Sequence, residues 1–192
     1  MRNLLNFIAF QCCWFANVIS AANGVPWLGP LVTALWLVGH LVSLRGAEAP
    51  GGIAAEIRVL LAAIVIGWTA DSALTLAGLI SFAENAQLGG PSPLWMIALW
   101  TCFAATLRHS LGWLRARWLL AIVLGAVGGP LAYLGGESLG AISLTGDLSI
   151  AAISAQYAIA TPILLAIAHY TTRAARRSAR HLQRDATVES GL

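Results

Sequence analysis

The stretch "EIRVLLAAIVIGWTADSALTLAGLISF", residues 56–82, decides the fold. About 20 apolar residues span a bilayer as a helix, and this run exceeds that while carrying one carboxylate, Asp71, toward its far end. An acid at that depth costs about 2.5–3.5 kcal/mol on insertion scales, so it turns toward neighbouring helices and polar partners. The rest of the chain agrees with a membrane setting. Its 192 residues are 58% hydrophobic and only 10% charged, with a mean hydropathy of +0.77, more apolar surface than a water-soluble core of this size hides.

Six apolar stretches emerge at 4–22, 28–44, 56–82, 93–114, 117–134 and 148–172, separated by turn-forming segments such as "NGVPWLGP", "ENAQLGGPSP" and "GGESLGAISLTGD". The second and fifth are short for a span. The expected fold is an all-α polytopic helix bundle with six transmembrane helices: one domain over 1–172 and an Arg-rich cytoplasmic tail over 173–192. Arginine placement sets the orientation, since short cytoplasmic loops collect positive charge. Arg2, then Arg45 and Arg58, then Arg108, Arg115 and Arg117, then Arg173 onward mark alternate connections. The other loops hold only Glu84, Glu137 and Asp147. Both termini are therefore expected in the cytoplasm, with Trp27 and Trp95 at the outer boundary and Trp113 and Trp118 at the inner one. The first stretch also has the outline of a cleavable signal peptide, but Asn6, Gln11 and Asn17 make a poor signal core and a good interhelical surface, so we read it as retained.

Asp71 centres the candidate site. Gly67, Trp68, Thr75 and Gly78 share its helix side. By helical rise Asp71 stands about 21 Å above Ile57 and Asn17 about 20 Å above Leu4, a level that Gln156 and Tyr157 also reach. A cluster of Asp71, Asn17, Gln156 and Tyr157 would satisfy bonds that lipid cannot. As interhelical glue it needs no substrate; the alternative is a ligand or proton site. "WFAN" (14–17) and "WTAD" (68–71) hint at an internal repeat that makes Asn17 and Asp71 equivalent. Along "LGAVGGPLAYLGGESLGA", Gly128, Gly129, Pro130 and Tyr133 read either as a packing kink or as a broken helix lining a cavity. Glu137 is either solvated or faces the same cavity as Asp71.

Other chemistry finds little support. His40, His109 and His169 lie toward the cytoplasmic ends of their spans without i, i+4 ligand pairs, so interfacial placement is expected and no metal is assigned. Cys12, Cys13 and Cys102 lack metal or disulfide spacing. There is no Gly-rich phosphate loop, nucleophile elbow or paired acidic motif, and no cofactor is identified. Arg173, Arg176, Arg177, Arg180 and Arg184 form a stripe suited to anionic lipid headgroups, at about 1 kcal/mol per charge. With no other basic face or stacking platform, nucleic acid is not an expected partner.

At "NFIAFQCCWFANV", "GWTADSALTLAGLISF", "PLWMIALWTCFAATL" and "GAVGGPLAYLGGESLGA" the chain resembles an uncharacterised bacterial inner-membrane family, a domain of unknown function, over about residues 3–170 and short of the tail. The shared motifs fall on Asn6, Phe10, Gln11, Asp71, Gly128, Gly129, Pro130 and Tyr133. Members are often encoded near enzymes resembling cyclopropane-fatty-acid synthases, which implies a lipid-related role in the bacterial inner membrane. Three functions follow as expectations: an accessory partner or small carrier in membrane-lipid modification, working with lipid-modifying enzymes; a lipid-modifying enzyme using Asp71 or Glu137 as acid or base; or a structural assembly subunit.

Overall fold

The computed structural model describes residues 2–45 and 52–189, with side chains through Arg173. Six helices follow the six apolar stretches: α1 Arg2–Ala22, α2 Leu28–Ser43, α3 Gly52–Leu76, α4 Leu94–Leu107, α5 Trp118–Ser138 and α6 Asp147–Glu189. Four of them, α1, α3, α5 and α6, are long and apolar enough to cross a membrane; α2 and α4 are shorter. Large apolar side chains cover the outside, Leu119 being 81% and Leu76 78% exposed. Hydrocarbon, rather than water, suits such a surface. α6 runs through residues 172 and 173 without a break. The side chains of Arg176, Arg177, Arg180 and Arg184 lie outside the described residues.

Two boundaries differ from the hydropathy reading. The apolar run to residue 82 is not all helix, because Gly78 adopts φ +70° and closes α3. Its N–H bonds Thr75 O and the N–H of Leu79 bonds Leu74 O, the paired bonds of a Schellman cap. α5 ends the same way at Gly140, φ +82°, with Gly140 N–H to Glu137 O and Ala141 N–H to Gly136 O. Each cap releases a three-residue strand, β1 (Ile80–Phe82) and β2 (Ile142–Leu144). They pair antiparallel, Ile80 opposite Leu144 and Phe82 opposite Ile142. The expected all-α bundle thus carries a small two-stranded strap at one end. The fourth apolar stretch likewise leaves the α-helix after Leu107 and turns through a 3₁₀ segment at Gly112–Leu114.

The helix ends sort into two levels. Asn6 at the start of α1 donates to Ala105 O near the end of α4 and accepts from Ser110 Oγ at 2.7 Å. Glu56 at the start of α3 bonds Arg108 beyond the end of α4 and His40 near the end of α2. The alternate arginine-bearing connections therefore meet at one end of the bundle, and the strap occupies the other. Trp95, expected at a boundary, is instead fully buried with its indole N–H on Ala86 O. Trp27, Trp113 and Trp118 are exposed.

The buried side chains form two clusters. One, toward the arginine-bearing end, includes Val59, Trp100, Leu107 and Leu164. The other, toward the strap, includes Val18, Trp95, Tyr133 and Ile153. Tyr157 packs on both, and Asp71 sits at their junction.

Candidate functional site

Asp71 is fully buried on α3, and the residues that reach it do so because glycines let their helices approach. Gly67, one turn earlier on the same side of α3, leaves room for the Trp100 indole of α4. A methyl group there would overlap Cγ, Cδ1 and Cδ2 of the ring. The seated indole donates its Nε1–H to Asp71 Oδ2 at 2.8 Å. On α5, a Cβ at Gly125 would strike the Tyr157 carbonyl, and one at Gly129 would lie 2.5 Å from the Tyr157 ring. Close approach of α5 to α6 is thus built into the sequence. One turn beyond Gly129, the Tyr133 hydroxyl donates to Asp71 Oδ1 at 2.6 Å. From α6, Gln156 Nε2 donates to the same oxygen at 2.7 Å, and its neighbour Tyr157 stacks on Trp100 with ring centres 4.8 Å apart.

Three helices thus each give one neutral donor to a carboxylate on a fourth. Bonds to a charged group contribute about 1.5–3 kcal/mol each, enough together to offset an acid's burial. Among the described residues no cation bonds Asp71.

The other expected site residues go elsewhere. Asn17 does not join Asp71: it bonds Cys13 O at 2.9 Å and Thr33 Oγ1 at 2.8 Å, holding α1 on α2. Trp68 is 45% exposed on the outer surface. Glu137 Oε1 accepts the Leu144 N–H at 2.8 Å and so fixes the strap; it does not line the groove beside the Asp71 network. Pro130 lies within the unbroken helix α5. It cannot donate to the Ala126 carbonyl four residues back, but Ser154 Oγ of α6 does so at 2.8 Å. That substitution by a neighbouring hydroxyl keeps the helix whole, as hydrocarbon surroundings require.

A groove of about 480 Å³ runs beside this network. Phe10 and Trp14 of α1, Phe103 of α4 and Leu124 of α5 line it, and Gln11 and Thr161 give it polar edges. Trp100, Tyr133 and Tyr157 line one wall, so two of the three donors to Asp71 also face the groove, while Gln156 and the carboxylate itself do not line it. Gly128 opens onto it, and a Cβ there would meet nothing within 4 Å.

A second buried carboxylate went unnoticed in the sequence. Glu56, fully buried, accepts from Arg108 Nη1 at 2.8 Å on Oε2, with His109 Nε2 at 3.3 Å from that oxygen and His40 Nε2 at 3.0 Å from Oε1. The His40 and His109 rings meet edge to face at 4.8 Å, and Trp36 stacks on His40. The signal available was an acid in the first turns of a span, at the same level as two histidines and an arginine already noted as interfacial. His169 is not part of the group.

The fold and its two buried carboxylates define a helical protein of the kind that resides in membranes, with polar networks held between apolar helices. The chain belongs to a family of proteins of unknown function, DUF2878, whose model matches residues 3–179. That is nine residues further than the resemblance seen in the sequence, and it takes in Arg173, Arg176 and Arg177. No curated protein and no solved structure matches the chain. Of the family-like residues, Asn6 staples α1 to α4, Phe10, Gln11 and Gly128 face the groove, Gly129 seats Tyr157, and Tyr133 bonds Asp71.

Proposed function

We propose that this is a multi-pass protein of the bacterial inner membrane, its six helices embedded with both termini cytoplasmic, that holds one hydrocarbon chain of a membrane lipid in the groove between α1, α4 and α5. It acts as an accessory partner or small carrier in membrane-lipid modification. The observation that carries this reading is the groove: apolar and aromatic walls, a few polar atoms and a volume in the range of small-molecule sites. The Asp71 network makes its inner wall rigid. An acid–base enzyme is less well supported, since both Asp71 oxygens are bonded behind the wall and Glu137 holds the strap. The positive-inside pattern supports the orientation, because the arginine-bearing connections share one end.

Gly128→Trp tests the reading, since Gly128 lines the groove and a Cβ there meets nothing within 4 Å, which leaves a larger side chain room to fill it. A photoactivatable fatty acid should label wild-type α1 or α4 at the groove and fail to label the variant at equal protein abundance. A strain carrying the variant should share the lipid profile of a deletion strain. Equal labelling of both proteins, or unchanged lipids in the deletion, would remove the proposal. Reporter fusions at Gly90 and after Leu192 check orientation: a cytoplasmic signal at Gly90 contradicts it.

A further inference from the structure

We propose that His40, Glu56 and His109 form a binding site for a first-row divalent transition-metal ion, with zinc the best match. The three offer one ligand atom each, and all three atoms lie within 4.8 Å of one another. Two imidazole nitrogens and one carboxylate oxygen are a recognised zinc set, leaving a fourth position for water or another ligand. An ion about 2.0–2.2 Å from each atom needs the three within about 4.4 Å of one another, so from a separation of at most 4.8 Å side-chain rotation suffices.

The surroundings match what such sites need. The ligands come from three separate elements, the end of α2, the start of α3 and the turn after α4, so the ion would tie together the arginine-bearing end of the bundle. Arg108 bonds the Glu56 oxygen Oε2 and Trp36 stacks on His40, outer contacts that orient ligands before metal arrives. Glu56 is fully enclosed whereas the His109 side chain is 20% exposed, which gives an ion a way in. Arg108 already balances the single carboxylate charge. Attraction then rests on the two nitrogens, favouring zinc or cobalt over magnesium or calcium, which want oxygen ligands.

The test uses the full-length protein purified in detergent and stripped with a chelator. Zn²⁺ should bind at one ion per chain and raise the melting temperature, and Co²⁺ should give the visible absorption of a nitrogen-ligated tetrahedral site. His40→Gln and His109→Gln keep a hydrogen bond to Glu56 but are poor ligands. Each should bind about tenfold or more weakly while melting like the wild type without metal. His169→Ala should bind normally. Absence of one-to-one binding in the wild type, unchanged binding in both Gln variants, or displacement by Mg²⁺ would overturn the site.

Discussion

Gly67→Ala is a change of one methyl group with a large expected effect. The added carbon overlaps three atoms of the Trp100 ring, whereas carbon contacts need about 3.5–4.0 Å. α3 cannot yield, since Ala63 below and Asp71 above on the same side are also fully buried. The indole must therefore retreat and its 2.8 Å bond to Asp71 breaks. Loss of a bond to a charged acceptor costs about 1.5–3 kcal/mol, and overpacking adds about 1–3 kcal/mol, so a loss of about 2.5–6 kcal/mol is expected. Reversible unfolding in mixed detergent micelles, followed by helical circular dichroism, measures it. Trp100→Leu forfeits the same bond and clears the clash, so the double variant should be less destabilised than the sum of the singles. A Gly67→Ala protein within about 0.5 kcal/mol of wild type, the range of a neutral substitution, or strict additivity of the pair, would refute the wedged indole.

Tyr133→Phe removes one donor from Asp71 without changing shape, and the same assay should record a loss of about 1.5–3 kcal/mol. Asp71→Asn should cost no more than about 1 kcal/mol, since its oxygen can face the Trp100 N–H while Tyr133 and Gln156 reverse their bonds. Asp71→Leu strands all three partners and should cost about 3 kcal/mol or more; equal stability of the two variants would show that hydrogen bonding is not what holds Asp71 in place. Glu56→Ala leaves Arg108 without its carboxylate and should destabilise by about 3–5 kcal/mol, whereas Glu56→Leu with Arg108→Met should recover most of that loss. Gly78→Ala forces a left-handed alanine and should cost about 1–2 kcal/mol, read as a lower midpoint in the same titration.

Hydropathy located every helix because burial in hydrocarbon and burial in a core demand the same long apolar run. It could not see where α3 stops, because Leu79, Ile80 and Phe82 are as apolar as the helix before them. The cue was Gly78, whose αL conformation ends the helix, with a matching Gly140 ahead of "ISL". Depth placed Gln156 beside Asp71 correctly but failed for Asn17, since helical rise fixes height and not direction. Asn17 faces α2, where Thr33 and the close-lying Gly29 receive it. The donors Trp100 and Tyr133 answer to glycines one turn away on a facing or shared helix, a pairing that only the packed structure makes visible. Glu56 stands near the start of α3, and only the packed structure brings α2 and the turn after α4 over it.

The strap has a consequence for where the lipid–water boundary falls. On the proposed embedding, any edge peptide group of the two paired strands that the protein does not itself bond would be costly in hydrocarbon, which sets residues 80–82 and 142–144 at or above the oily layer like a float. Asp71 lies five residues inside the end of α3, about 8 Å along the helix from the cap that leads into the strap. On that embedding Asp71 would sit in the shallow zone where acyl chains join their ester groups, and Ile142 of the strap itself borders the groove. A lipid tail lying there would bring its polar root, not its terminal methyl, past the tyrosine that guards the acid.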